Sequence, residues 1–108
     1  MRSAKVFLYD DWVGILKEDE NGYHFKYQQE HLDGKNAEPV SLTLPLQSKS
    51  FESKVLFPFF DGLIPEGWLL DITEKNWKLN SRDRMGILLV ACRECIGAVS
   101  IEAIIEKD

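Results

Sequence analysis

Cysteine and histidine are the side chains here best suited to chemistry, and the chain has two of each. Cys92-Arg93-Glu94-Cys95 has the C-x-x-C spacing of a dithiol redox pair or of half a zinc site. A redox pair wants its first cysteine exposed at a helix N-terminus, where the thiolate is stabilised. Cys92 falls instead at the C-terminal end of an apolar helical stretch, where the helix dipole disfavours an anion. Zinc needs two further ligands, and no second C-x-x-C or paired histidines supply them. The pair therefore reads as buried thiols. A small thiol enzyme built on Cys92 and Cys95 is the rival reading, and replacing both with serine would abolish its function.

Nucleophilic catalysis needs a nucleophile beside a base. His24 lies in a strand pattern and His31 in a polar loop, and there is no Gly-x-Ser-x-Gly elbow. Neither Gly-x-x-x-x-Gly-Lys nor Gly-x-Gly-x-x-Gly occurs, so no loop is built to cradle phosphate. Phe60-Asp61-Gly62 holds the residues of the kinase metal-binding tripeptide in the wrong order, without a catalytic-loop Asp and Asn pattern. The expectation is a protein without catalytic, metal-binding or cofactor-binding residues.

What stands out is Leu56 to Trp68, with three phenylalanines, one tryptophan, two prolines and two glycines. Phe57 and Phe60 suit the gap between a sheet and its helices. Trp68 sits at the edge of an apolar arc in a first helical turn, directly after Gly67. A large aromatic at a rigid loop-to-helix corner suits an interface anchor. Trp68, Ile64, Glu66, Gly67 and Phe59 are therefore the candidate partner-binding residues.

The elements that must position this segment follow from patterning. Lys5–Tyr9 and Trp12–Glu18 read as strands about an Asp10-Asp11 turn. Asn21-Gly22 is a hairpin signal, and Tyr23–Tyr27 alternates like a half-buried strand. Gln28–Pro39 reads as loop, Val40–Pro45 as a short edge strand that Pro45 stops, and Gln47–Ser53 as polar connection. Pro65 opens a helix over Glu66–Trp77. Ser81 caps a buried helix over Met85–Cys92 that Gly97 ends, and Ala98–Ile104 reads as a final strand. The fold class expected is α+β: a small antiparallel sheet, a meander plus a C-terminal strand, with two helices packed on one side. Residues 1–108 make one domain.

Composition narrows the function further. Net charge is −5, with 13 basic residues among 18 acidic ones. Nucleic-acid affinity rests on clustered Lys and Arg, so direct nucleic-acid binding is not expected, whereas a basic partner is compatible. No apolar run approaches the roughly 18 residues that span a bilayer. The opening Met1-Arg2-Ser3-Ala4-Lys5 leads into a strand rather than a secretory signal, so a cytoplasmic protein is expected.

Val40-Ser41-Leu42-Thr43-Leu44-Pro45-Leu46, Phe59-Phe60-Asp61-Gly62-Leu63-Ile64-Pro65-Glu66-Gly67 and Cys95-Ile96-Gly97-Ala98-Val99 occur in this order. Together with the Val6–Gly14 hairpin, they resemble the N-terminal subdomain of the HipA-type serine/threonine kinases, toxins of bacterial toxin–antitoxin systems. Relatives of that type continue into a kinase core, whereas this sequence ends at Asp108. It therefore resembles the stand-alone subdomain, HipS, of HipBST tripartite systems, where the kinase (HipT) and a helix-turn-helix protein (HipB) are separate chains. The resemblance implies an antitoxin that binds the kinase and neutralises it, linked indirectly through HipB to operator DNA. The alternative is a structural subunit that completes the kinase and bridges it to the DNA-binding partner without inhibiting it. The kinase's substrate is not legible in these residues.

Overall fold

The computed structural model describes residues 2–64, 67, 82–92 and 98–104. Its frame is a five-stranded antiparallel sheet of order β4-β3-β2-β1-β5. The strands are β1 (Arg2–Leu8), β2 (Asp11–Asp19), β3 (Gly22–Tyr27), β4 (Phe51–Ser53) and β5 (Val99–Ile104). Short helices α1 (Gln29–Leu32) and α2 (Pro58–Asp61) and the longer α3 (Arg84–Ala91) complete it. The α+β class and the meander with its returning C-terminal strand are as expected. The proposed helix over Glu66–Trp77 lies outside the described residues, as do Ser81, Cys95 and Gly97.

Period-two alternation puts Ala4, Val6 and Leu8 of β1 on one face of the sheet. Register aligns Ala4 with Leu16, Leu16 with Phe25, and Phe25 with Phe51. That face is the core. Phe60 from α2 and Met85 and Leu88 from α3 close over it, each fully buried. Rings dominate the packing: Phe25 lies 4.8 Å from Tyr27, 5.3 Å from Phe60 and 6.3 Å from Phe51.

Both hairpins differ from expectation in their turn residues. Leu8 pairs with Asp11, so Tyr9-Asp10 rather than Asp10-Asp11 makes the first turn. Both residues have positive φ, 50° and 69°, the twist a two-residue hairpin loop favours. In the second hairpin Asp19 pairs with Gly22, leaving Glu20-Asn21 as the loop. The Asn21 amide donates to the Asp19 carboxylate at 2.8 Å. Gly22 opens β3 at φ 127°, and a Cβ there would collide with the Ser53 carbonyl of β4.

Val40–Pro45 is not a strand. Ser41 and Leu44 close a tight turn, with the Leu44 amide donating to the Ser41 carbonyl at 3.1 Å. Pro39 and Pro45 remove amides at both ends, and Ser41 Oγ accepts from the Thr43 amide. The Tyr27 hydroxyl holds the turn from inside, donating to the Leu44 carbonyl and accepting from the Val40 amide at 2.9 Å. Val40 and Leu44 are thereby buried while Leu42 is 96% exposed. The fourth strand is instead Phe51–Ser53, inside the stretch expected to be connection. It is three residues long, and Phe51 is its contribution to the ring cluster. Gln28–Pro39 also differs, since α1 forms a single helical turn there.

Candidate interaction surface

The segment from Phe57 begins as a helical turn because Pro58 stands at its first position, where no amide is needed. The Asp61, Gly62, Leu63 and Ile64 amides each return to carbonyls three or four residues earlier, at 2.9 to 3.2 Å. Phe57 and Phe60 point into the core, as expected. Phe59 is half-buried, edge-on to Phe60 at 5.2 Å. Ile64 is also half-buried against the core rather than freely exposed. Gly67 is exposed at φ 80°, and a Cβ on it would meet open space. Trp68 and Glu66 lie outside the described residues.

Helix α3 braces this segment at two points. Arg84 Nε donates to the Asp61 carboxylate at 2.6 Å, and the bond holds the guanidinium charged beyond its ordinary range. At the other end of α3 the Cys92 thiol donates to the Leu63 carbonyl at 3.0 Å. The helix is itself fixed to the sheet. Asp83 caps it by accepting from the Gly86 amide at 3.0 Å, so the cap is Asp83 rather than Ser81. Arg2 reaches both Asp83 oxygens at 2.7 Å and also pairs with Glu18. The Arg2 hydrogen bonds hold the Asp83 carboxyl below the usual carboxylate range. The Tyr23 phenol beside them is pushed up to about 12, by burial first and by Glu18 second. Phe57–Ile64 is thus a rigid corner tied to core, sheet and helix.

Cys92, His24 and His31 take structural places. Cys92 is buried just past the last residue of α3, the helix end that disfavours a thiolate. His24 Nε2 stands 3.0 Å from Asp19 and Nδ1 3.6 Å from Glu52. The first contact is an ion-pair approach rather than an aligned hydrogen bond. The Asp19 carboxyl is lowered first by the Asn21 amide and second by His24. His31 lies against the Tyr27 ring and meets the Glu38 carbonyl at 2.8 Å. Among the described residues no three His, Cys, Asp or Glu side chains gather as metal ligands. Nor is any helix among them long and apolar enough to cross a membrane.

Two exposed features escaped sequence reasoning. Leu42 was concealed by its strand-like alternation. Trp12, 42% exposed, was read only as part of a strand; its place directly after a turn was the available signal.

Residues 4–102 match the family described as HipA N-terminal domain. An uncharacterized protein of Haemophilus influenzae is 37% identical over 102 residues, 94% of this chain and 92% of that one. "Putative kinase Y4mE" of Sinorhizobium fredii is 38% identical over 55 residues, half of this chain but 13% of that protein. The solved structure titled N-terminal domain of HipA toxin superposes with a TM-score of 0.75 at 33% identity. It covers 99% of this chain and 96% of its own.

Proposed function

The chain belongs to the HipA N-terminal domain family, and from that premise we propose that it is a non-catalytic antitoxin that binds a separate HipA-like serine/threonine kinase and neutralises it by contact. Family membership makes it a HipA-related toxin–antitoxin component; neutralisation is the proposed step. The observation that carries it is the superposition of nearly the whole chain on the N-terminal domain of a toxin. In "Putative kinase Y4mE" the matched segment is a small fraction of a much longer protein. That a matched segment accompanies a putative kinase in one chain supports a kinase as the partner.

The Phe57–Gly67 corner is the proposed contact. From Asp61 to Ile64 its amides return to carbonyls within the segment, so little conformational entropy is lost there on docking. Phe59 and Ile64 each leave part of their apolar surface uncovered. Trp68 is placed by its sequence position as the anchor beside exposed Gly67. The protein acts in the cytoplasm, where its kinase is made, and meets operator DNA only through a helix-turn-helix partner.

Co-expression with the kinase tests this through growth. Wild type restores growth, and Trp68→Ala, folding normally by circular dichroism, restores it poorly. Full rescue by Trp68→Ala removes that side chain from the mechanism. Undiminished phosphorylation by the purified complex would replace neutralisation with the structural-subunit reading.

A further inference from the structure

Helix α2, which opens the proposed contact, cannot hold itself. It is four residues long, far short of the roughly 12–15 at which an isolated helix becomes even marginal in water. Its last residue is Asp61, at the helix end that disfavours an anion. Leu63 lies beyond that end, where carbonyls run out of intrahelical donors. Two side chains at the ends of α3, 23 and 29 residues away along the chain, answer these two weaknesses.

Arg84, the first residue of α3, donates from Nε to the Asp61 carboxylate at 2.6 Å. A cation thereby stands at the carbonyl end of α2. Cys92, directly after the last residue of α3, donates its thiol hydrogen to the Leu63 carbonyl at 3.0 Å. The helix between them is anchored: Met85 and Leu88 are fully buried, and Asp83, next to Arg84, is gripped by Arg2. Asp61 and Leu63 are therefore pinned from one fixed body. Phe59 stands two residues before Asp61, and the Ile64 amide donates to the Asp61 carbonyl at 3.2 Å. The pins thus set the backbone from which these two half-buried apolar side chains project.

We propose that Arg84 and Cys92 are positioning residues for partner binding: they set the affinity for the kinase by holding Phe59 and Ile64 in the arrangement it meets. The inference rests on the proposed function, whose partner and contact it takes over. Without the pins the segment would have to order as it docks, and that entropy subtracts from affinity. Cys92 is fully buried, so it acts on a partner only through Leu63. Its part is that of a hydrogen-bond donor, which a serine hydroxyl can also play, and no sulfur chemistry enters. Arg84 and Asp61 are 37% and 41% exposed in their side chains. Direct contact with the kinase is therefore the rival role for this pair, and exchanging the two charges separates the roles. A swapped pair still pins the corner, whereas a direct contact meets the wrong charge.

The test measures the affinity of the purified kinase for the full chain and its variants, with amide exchange of each chain alone. Arg84→Gln is expected to bind about fivefold more weakly, the scale of a partly exposed ion pair. Its amides at residues 61–64 are expected to exchange faster by a similar factor, with those of β1 and β2 unchanged. The swap Asp61→Arg/Arg84→Asp is expected to bind within about twofold of wild type, because the pair forms again and each charge suits its helix end. Cys92→Ala is expected to bind about fivefold more weakly, on the scale of one lost hydrogen bond, and Cys92→Ser like wild type. Arg84→Gln or Cys92→Ala that binds like wild type overturns the role of that residue while leaving the antitoxin reading intact. A swap as weak as Arg84→Gln overturns positioning by the pair and makes it a direct contact. Cys92→Ser as weak as Cys92→Ala overturns the donor role. Wild type that fails to bind the kinase overturns the proposed function together with this inference.

Discussion

Asp83 concentrates more of the fold's wiring in one side chain than any other exposed or half-exposed carboxylate described. Its Oδ1 caps α3 through the Gly86 amide, and both oxygens bind Arg2. Removing an N-cap acceptor costs about 1 kcal/mol. The bidentate pair is charge-assisted but about a third exposed on both sides, so about 1 kcal/mol is appropriate rather than the larger value of a buried pair. Asp83→Ala should therefore lose about 2 kcal/mol, a large share of the 5–15 kcal/mol typical of a domain. Asp83→Asn keeps the cap and should lose about 1 kcal/mol. In urea, with a slope of about 1.5 kcal/mol per molar, the alanine variant unfolds about 1.3 M earlier. Arg2→Gln in both backgrounds completes a cycle with a coupling of about 1 kcal/mol.

The pH dependence has a definite sign. The folded carboxyl is depressed, by the Arg2 hydrogen bonds first. Its stabilisation is thus fully present above the unfolded value near 3.9 and lost as pH falls through the folded one. The gap between wild type and Asp83→Ala should be flat from pH 7 to 5 and close below about pH 4. Additive Arg2 and Asp83 effects, or a gap indifferent to acid, would refute the clamp.

Three further substitutions probe the frame. Phe60→Ala empties the fully buried hub between Phe25, Phe57 and Phe59 and should cost about 3–5 kcal/mol, read as a loss of cooperative thermal unfolding. Tyr27→Phe leaves the Val40 amide and Leu44 carbonyl without their phenol partner. It should cost about 1–3 kcal/mol and speed amide exchange at residues 40–44. Tyr9→Asn relieves a tyrosine at φ 50° that is 71% exposed; a gain of about 0.5–1 kcal/mol is expected, since Asn tolerates that region, and thermal melts detect it.

Strand and helix types were legible wherever one face of an element alternated cleanly against a core. Ala4, Val6 and Leu8 announced β1, and Met85 to Leu88 announced α3. Phe57 and Phe60 were legible as core by the same logic. Turn positions were not, because Asp10-Asp11 and Asn21-Gly22 carry strong local preferences that strand pairing shifted by one residue. Val40, Leu42 and Leu44 misled most: three apolar residues at alternate positions promise one buried face, and a serine-closed turn sent Leu42 outward instead. Of the corner residues, Phe59, Ile64 and Gly67 now have places, and the rigidity around them rests on Arg84, Cys92 and Asp83, whose partners are far away in the chain.

Taken alone, the sequence determined the α+β class, the meander, the buried thiol at Cys92 and the family to which the chain belongs. Those follow from periodicity and from short motifs, which are local properties. Only the tertiary structure decided which charges meet. Arg2 finds Asp83 81 residues away, and the register of β1 with β5 sets Lys5 opposite Glu102. Coulomb energy depends on separation in space, and separation along the chain does not report it.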